Sequence, residues 1–409
     1  MDFNDSPEEA AYRAEVRGWL AANAPKGAHD SDFEGDGRSM GASKAWQATK
    51  AAAGYAQITW PKAWGGQGGN PIQQVIFSQE EAKYPIPPNP FQIGLGMCVP
   101  TVATFADQAT RDRFVGPALR GEEIWCQLFS EPSGGSDVAA ARTKAVRVDD
   151  GSGDWLVSGQ KVWTTGAQFS DYGIVICRTN PDAPKHKGLT MFWVDMHDPG
   201  VEVKPIHQMS GASGFNEVFF TDVRVKDSQR LGAVDDGWKV SLVTLMNERL
   251  AVGGGSGAGW SEFMEAARSV PGVDGAPALK DQALREKLAD WYVQAEGLKH
   301  TRNRTMTALS KGQTPGPESS IGKIVSAVQM QELGNEALEM LDQFGIIDDP
   351  DLAPRRGAFH TLVMFAAGLR IAGGTDEILK NIIAERVLGL PGDIRVDKDV
   401  AFKDMPTGR

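Results

Sequence analysis

The hydrophobic period of the chain changes twice, and this pattern constrains the fold more than any single motif. Residues 1–124 repeat apolar side chains at helical spacing, the period becomes two from about Ile124, and the helical period returns beyond about Leu231. Several short strands separated by turns are typical of an all-β domain. The sequence therefore predicts an α+β chain with an N-terminal α-helical domain (1–124), a middle β-barrel or sandwich domain (125–230) and a C-terminal α-helical domain (231–409).

Composition excludes several functional classes. Of the 409 residues, 41% are hydrophobic and 23% are charged, which is typical of a globular protein. Lys+Arg 42 against Asp+Glu 53 gives a net charge of −11, so we expect no nucleic-acid partner. Three scattered cysteines without a CxxC pair indicate a reducing compartment, for which we expect the cytoplasm, and the histidines show no metal-ligand spacing. An acidic N-terminus argues against a secretory signal, and no stretch approaches the ~20 apolar residues of a membrane span.

One glycine-rich segment imitates a dinucleotide-binding fingerprint. Gly253–Ala258 fits GxGxxA, and Asp274 lies at a suitable distance for a ribose contact. The fingerprint needs a buried strand directly before it, whereas only Leu250–Val252 precedes it, in a segment with helical spacing. We therefore favour a helix whose glycines leave room for the close approach of a backbone or ligand, although each glycine costs up to ~1 kcal/mol of helix propensity.

Three other short segments indicate chemistry. Residues 127–137, QLFSEPSGGSD, combine a proline, two glycines and several hydroxyls, so this loop can approach a flat ring or a pyrophosphate closely. Residues 161–166, KVWTTG, place a tryptophan beside two threonines at a strand end, where the indole can stack on a ligand. Residues 373–378, GGTDEI, mark a helix N-terminus suited to polar or anionic ligand atoms. The first segment alone would be an ordinary serine–glycine turn, but the three together predict a ligand site.

In this order and spacing, the EPxxGSD and KxWxT segments and the C-terminal helix start resemble those of the acyl-CoA dehydrogenase family, and the resemblance spans nearly the whole chain. It implies an acyl-CoA dehydrogenase-like fold in which the C-terminal domain is a four-helix bundle. It also implies FAD as cofactor, an acyl thioester of coenzyme A as substrate, and α,β-dehydrogenation in fatty acid β-oxidation. The implied partners are an electron-transferring flavoprotein as acceptor and further copies of the chain in a homotetramer, a dimer of dimers.

The resemblance also assigns cofactor contacts by position. They are Leu128, Ser130, Gly135 and Ser136 at the flavin and its ribityl chain, Trp163 over the ring, Thr164 and Thr165 at its N5 edge, and Thr375 and Glu377 at the start of the last helix. Ser136 is also implied to contact the pantetheine or thioester end of the substrate. Many relatives have glutamine at the position of Glu377.

The catalytic base is not where many relatives carry it. Their glutamate directly precedes the Gly-Thr of the C-terminal motif, and this chain has Gly373 there. Other members carry the base in a Glu-Arg pair on a central helix, which corresponds here to Glu248 and Arg249. On an arbitrary helix this pair would be a solvated or structural ion pair, but within the family it implies Glu248 as the base and Arg249 as support for the substrate site. The backbone N–H of Gly373 can still stabilise an enolate-like transition state.

The sequence leaves two other functions open. The missing C-terminal base fits a weakly catalytic partner subunit of a mixed tetramer, a kind of assembly known in the family for steroid side-chain thioesters. An acyl-CoA oxidase that uses oxygen directly is the other alternative, although that class usually has a longer C-terminal region. Retention of Glu248 and of the whole flavin loop favours the dehydrogenase.

Overall fold

In the computed structural model, the protein forms two compact units. The β unit comprises residues 4–251 and 394–409, and the helical unit comprises residues 1–3 and 252–393. The structure describes residues 5–27, 39–251, 259–272, 274–311, 316–347, 349, 351–392, 394 and 397–405, without the side chains of 248–251, 309–310 and 319. The glycine-rich segment Gly253–Ala258 therefore lies outside the described residues.

Within the described part of the β unit, five α-helices precede the sheet. They are α1 (Pro7–Asn23), α2 (Met40–Ala52), α3 (Pro71–Glu81), α4 (Val99–Phe105) and α5 (Gln108–Leu119). Ser6 caps α1, because its Oγ accepts the Glu9 N–H at 3.2 Å while the Glu9 carboxylate accepts the Ser6 N–H at 2.7 Å. Trp19 of α1 contacts Tyr55, and Tyr55 stacks on Phe77 of α3. This aromatic cluster forms the core between the first helices.

A mixed sheet follows these helices. Its strands are β1 (Trp125–Leu128), β2 (Lys144–Arg147), β3 (Trp155–Thr165), β4 (Tyr172–Arg178), β5 (Leu189–Asp195), β6 (Val201–Ile206), β7 (Phe215–Val225) and β8 (Arg230–Leu231). Their order is β6-β7-β3-β2-β4-β5-β8, and β1 pairs with β4 in parallel. Buried and less buried side chains alternate along most of β3, because successive residues of a strand point to opposite faces. The segments with a period of two are therefore strands.

Helices return after the sheet. The last helix of the β unit is α6 (Gly237–Ala251), and the helical unit contains α7 (Trp260–Ala267), α8 (Gln282–Ser310), α9 (Ser320–Leu341), α10 (Ala358–Leu369) and α11 (Asp376–Arg386). In the helical unit, α9 packs against α8, α10 and α11 around a core that includes Phe263, Trp291 and Phe359. The predicted α+β class and its order of helical, β and helical regions are confirmed. The boundaries after residues 124 and 230 stay predictions. No helix in the described ranges is long and apolar enough to cross a membrane.

Candidate functional site

The serine–glycine loop begins where β1 ends. The side chain of Leu128 is fully buried in the core of the sheet, so only its backbone can contact a ligand. Beyond it, Glu131 and Gly134 close a tight turn, because each backbone N–H donates to the carbonyl of the other residue, at 3.1 and 3.0 Å. Ser130 is half-buried, and Gly135 and Ser136 are exposed. The loop therefore presents its backbone and hydroxyls at the surface of the β unit.

A buried ion pair holds the loop against β3. Lys161 Nζ lies 2.8 Å from Glu131 Oε1 and also donates to the Phe129 carbonyl at 3.1 Å. The Glu131 carboxylate accepts the backbone N–H groups of Arg142 at 2.7 Å and Thr143 at 2.8 Å. Burial alone would raise the pKa of Glu131, but the Lys161 ammonium and these hydrogen bonds outweigh it, and the pKa lies below its ordinary value. The Glu131–Lys161 pair thus ties the start of the loop both to β3 and to residues 142 and 143, which lead into β2.

Sequence reasoning assigned no role to Glu131 or Lys161, although both lie in the quoted motifs. A signal was present. Lys161 lies an even number of residues after Trp155 and Val157 along β3, so it points to the same buried face of the sheet. A lysine at a buried strand position requires a counter-ion.

Trp163 lies beside this loop in a strained backbone conformation. The pairing of β3 with β7 shifts register between Lys161 and Thr164, and Trp163 at this bulge has φ +60. Its indole is 58% exposed and touches only the edge of Phe215 among the aromatic rings of the described residues, at a centroid distance of 6.1 Å. The Val162 N–H donates to the Ser130 carbonyl at 2.9 Å, so the strand and the loop are neighbours. A large, exposed side chain on a residue with left-handed backbone dihedral angles costs the fold stability and is typical of a ligand contact.

The two threonines after Trp163 differ in surroundings. Thr164 is buried, and its Oγ1 has no hydrogen-bond partner among the described residues. Thr165 is half-buried. Both threonines directly follow Trp163 in the sequence, but only Thr165 is partly exposed at the surface. Their predicted contacts with the N5 edge of a flavin stay predictions.

The loop glycines fit the close approach of a flat cofactor. A Cβ at Gly135 would meet only Ser130 Oγ, at 3.8 Å, and a Cβ at Gly134 would meet only the Asp137 carbonyl oxygen, at 3.8 Å. Neither residue has positive φ. Neither packing within the chain nor backbone conformation therefore requires glycine here, whereas a ligand lying against the backbone would. Together with the exposed Trp163 ring, this open backbone fits a flavin.

The predicted base lies on α6. Glu248 and Arg249 belong to the last turn of this helix, and their side chains lie outside the described residues. One turn earlier, the Thr244 hydroxyl is buried and bonds the Thr101 hydroxyl of α4 at 2.9 Å. The helix that carries Glu248 is thus anchored inside the β unit, and the roles of Glu248 and Arg249 stay predictions.

The third motif forms a turn in the helical unit. Gly373 and Gly374 have φ of +63 and +94, so a side chain at residue 373 would be strained. Lys323 Nζ donates to the Gly374 carbonyl at 2.5 Å. Arg370 pairs with the buried Asp376 at 2.8 Å. Among the described residues, the Gly373 and Gly374 N–H groups donate to no backbone carbonyl. The turn is therefore held by Lys323 and Arg370, side chains that sequence reasoning did not single out.

The turn leads into α11. Thr375 is the N-cap, and its side chain accepts the Ile378 N–H at 3.3 Å. Glu377 is exposed in the first turn, and hydrogen bonds from its own N–H and from the Thr375 hydroxyl lower its pKa. Gly373, Thr375 and Glu377 thus share one helix start, whereas the other predicted cofactor contacts lie at the ends of β1 and β3 and in the loop that follows β1. The described residues contain no cluster of His, Cys, Asp and Glu that would hold a metal ion.

Family models match three parts of the chain: acyl-CoA dehydrogenase, N-terminal domain, over residues 6–122, middle domain over 126–223 and C-terminal domain over 235–388. Acyl-CoA dehydrogenase FadE34 of Mycobacterium tuberculosis is 39% identical over 84% of this chain, which spans only 46% of that protein's length. Acyl-CoA dehydrogenase IpdE1 of the same organism is 34% identical, over 94% of this chain and 98% of that protein.

Two solved structures share the fold. The ChsE4-ChsE5 complex from Mycobacterium tuberculosis matches with a TM-score of 0.76 and 26% identity, over 96% of this chain and 100% of the compared chain. The Tcur3481-Tcur3483 steroid ACAD matches with a TM-score of 0.79 and 24% identity over the same shares of the two chains, and this likeness concerns the fold alone.

Proposed function

The chain belongs to the acyl-CoA dehydrogenase family, and on that premise we propose that it oxidises an acyl-CoA thioester to the trans-2-enoyl-CoA with FAD as cofactor. The family consists of oxidoreductases of lipid β-oxidation and is FAD-dependent in general. The observation that carries the proposal is the serine–glycine loop, held by the Glu131–Lys161 pair beside the exposed ring of Trp163. The loop and the Trp163 ring together offer a surface for a flat ring, and the strained backbone at Trp163 costs the fold stability.

The residues that would hold FAD belong to the C-terminal end of β1 and the loop after it, to the C-terminal end of β3 and to the start of α11. In the β unit they are the backbone of Leu128, Gly135 and Ser136, the Ser130, Thr164 and Thr165 hydroxyls, and the Trp163 ring; in the helical unit they are Thr375 and Glu377. Bound FAD supplies the acceptor for the hydride that leaves the β-carbon of the substrate. The loop's contribution is a preformed shape, because the Glu131 carboxylate ties it to Lys161 of β3 and to the backbone of residues 142 and 143.

We assign removal of the α-proton to Glu248. A carboxylate beside an apolar acyl chain has a raised pKa, which suits a general base near neutral pH. The assignment is supported by Gly373 at the alternative base position and by the anchoring of α6 through Thr244. Arg249 then supports the substrate site, Ser136 contacts the thioester end of the substrate, and the Gly373 N–H donates to the thioester carbonyl as negative charge develops there.

The decisive experiment is anaerobic reduction of the bound flavin by acyl-CoA thioesters. The chain is purified alone, its flavin content is measured, and bleaching is followed with straight-chain, branched and polycyclic thioesters. Glu248→Gln is expected to lose bleaching, whereas Glu265→Gln, an exposed glutamate on α7, is expected to keep it. Wild-type bleaching by Glu248→Gln would remove Glu248 from the mechanism.

A second candidate is a weakly catalytic partner subunit of a mixed tetramer. It is favoured by Gly373 and by the likeness to the ChsE4-ChsE5 complex. Flavin binding that appears only on co-expression with a homologous chain would support it over the homotetramer. Reoxidation by air rather than by an electron-transferring flavoprotein would instead support an acyl-CoA oxidase.

A further inference from the structure

A segment beyond the last matched family domain lies against the β unit. The family match ends at residue 388, whereas residues 397–405, here called the strap, belong to the same compact unit as the sheet. The strap pairs with the connection between β4 and β5: the Phe402 N–H donates to the Ala183 carbonyl at 2.9 Å, and the Lys403 N–H donates to the Pro181 carbonyl at 3.0 Å.

The strap also packs on Arg178, which holds the backbone just after the serine–glycine loop (the flavin loop). The Phe402 ring lies 3.8 Å from the guanidinium carbon of Arg178. Arg178 is buried and donates to the carbonyls of Ala139 at 2.6 Å, Ala141 at 3.3 Å and Lys185 at 2.8 Å. A guanidinium stacked on an aromatic face keeps a fixed orientation, so Phe402 holds Arg178 in the plane that reaches these carbonyls.

A second contact runs through Lys185. Its Nζ lies 2.7 Å from Asp137, the last residue of the QLFSEPSGGSD segment, and 2.6 Å from Asp397 of the strap. One half-buried ammonium therefore bridges the flavin loop and the strap.

We propose that the strap is a positioning element for the flavin loop, acting through Phe402 on Arg178 and through Asp397 on Lys185. It rests on the proposed binding of FAD by this loop. Without the strap, the backbone from residue 137 to residue 143 loses two of its attachments and the open loop populates other conformations. The apparent FAD affinity then equals the intrinsic affinity multiplied by the fraction of protein that remains in the competent conformation.

The test compares Phe402→Ala/Asp397→Asn with the matched control Lys403→Met, which breaks the exposed pair between Lys403 and Asp182 in the same strap. Hydrogen–deuterium exchange is measured on the apo-protein at the Arg142 and Thr143 amides, which the Glu131 carboxylate accepts. The FAD dissociation constant is then measured by titration.

The strap variant is expected to exchange these two amides at least ten times faster and to bind FAD at least ten times more weakly, with unchanged exchange in β6 and β7 and an unchanged control. The single variant Phe402→Tyr, which keeps both the aromatic face and Asp397, is expected to retain the wild-type exchange and the wild-type FAD affinity. Wild-type exchange in the strap variant would overturn the proposal. So would equal acceleration in β6 and β7, which would indicate a general loss of stability. If the wild-type chain binds no FAD, the proposed function fails, while the exchange result still decides the role of the strap.

Discussion

Among single side chains, Lys161 has the strongest predicted effect. Lys161→Met leaves the Glu131 carboxylate buried without its counter-ion, which is expected to cost ~3–5 kcal/mol of unfolding free energy. The double variant Glu131→Gln/Lys161→Met removes both charges and is expected to recover most of this loss. Urea denaturation of the three proteins measures both values. A double variant as unstable as the single one would show that the lost volume, not the charge, matters.

The same pair makes a signed prediction about pH. The folded pKa of Glu131 lies below its ordinary value, so its contribution to stability is complete above the ordinary carboxyl pKa and is lost as pH falls toward the folded one. Lys161→Met removes the two largest contributions to this lowered pKa, the charge and the hydrogen bond of the Lys161 ammonium. The stability difference between the wild type and Lys161→Met is therefore expected to be larger at pH 7 than at pH 4. An equal difference in the melting temperatures at both pH values would contradict the ion-pair explanation.

Gly135 separates ligand binding from folding. Because a Cβ there would meet only Ser130 Oγ at 3.8 Å, Gly135→Ala is expected to leave the melting temperature of the apo-protein within about 2 °C of the wild type. FAD lying against this backbone would meet the new methyl group, and we expect its affinity to fall at least tenfold. Gly18→Ala, on open surface of α1, is the control and should change neither binding nor spectra. Undiminished affinity in Gly135→Ala would place the cofactor elsewhere.

Among secondary-structure elements, α1 and α3 are joined by one buried carboxylate. Glu80 of α3 lies 3.0 Å from Arg13 and 2.9 Å from Arg17, both on α1, and 2.6 Å from Lys83. Burial raises the pKa of Glu80, but the three cations outweigh it and lower the pKa to about 2. Its stabilising effect is therefore present above about pH 4.5 and is lost as pH falls toward 2.

Glu80→Gln is accordingly expected to lower the melting temperature at pH 7 and to approach the wild-type value near pH 2–3. Thermal unfolding across this range measures the effect, and Glu265→Gln serves as an exposed control. A difference that persists unchanged at pH 2.5 would mean that Glu80 acts through packing rather than charge.

The sequence predicted the type of most elements because their periods are long and clear. The cap at Ser6 and the short, nearly continuous apolar runs of β4 and β5 identify their elements without tertiary information. The loop predicted over residues 127–137 includes Gln127 and Leu128, which are the last two residues of β1. The four residues of this strand show little alternation, so its end is not visible in the sequence. Its parallel pairing with β4 depends on a contact distant in sequence.

The sequence predicted the motifs of the candidate site but not the side chains that hold those motifs in place. The exposure of Trp163 and the open backbone at Gly135 agree with a ligand surface that the motifs predict. The hydrogen bonds from Arg178 to Ala141 and from Lys323 to Gly374 join residues 37 and 51 positions apart, and nothing local in the sequence indicates them. Such contacts arise from the packing of whole elements, which a period or a motif does not encode.

For the chain as a whole, the exposed apolar side chains of the helical unit make the last prediction. Ile346 is 85% exposed and Leu352 is 72% exposed, and Phe344 and Phe365 are also largely uncovered. Three of these side chains, Phe344, Ile346 and Leu352, lie within nine residues of the chain, and a concentration of exposed apolar side chains usually marks an interface. We therefore expect light scattering to find an assembly of about four copies of the 44.0 kDa chain. Ile346→Asp/Leu352→Asp is expected to lower this mass, because burying two carboxylates in an interface is unfavourable, whereas Asp351→Asn should leave it unchanged. A wild-type chain that is monomeric alone and assembles only with a homologous partner would contradict the homotetramer and support the mixed assembly.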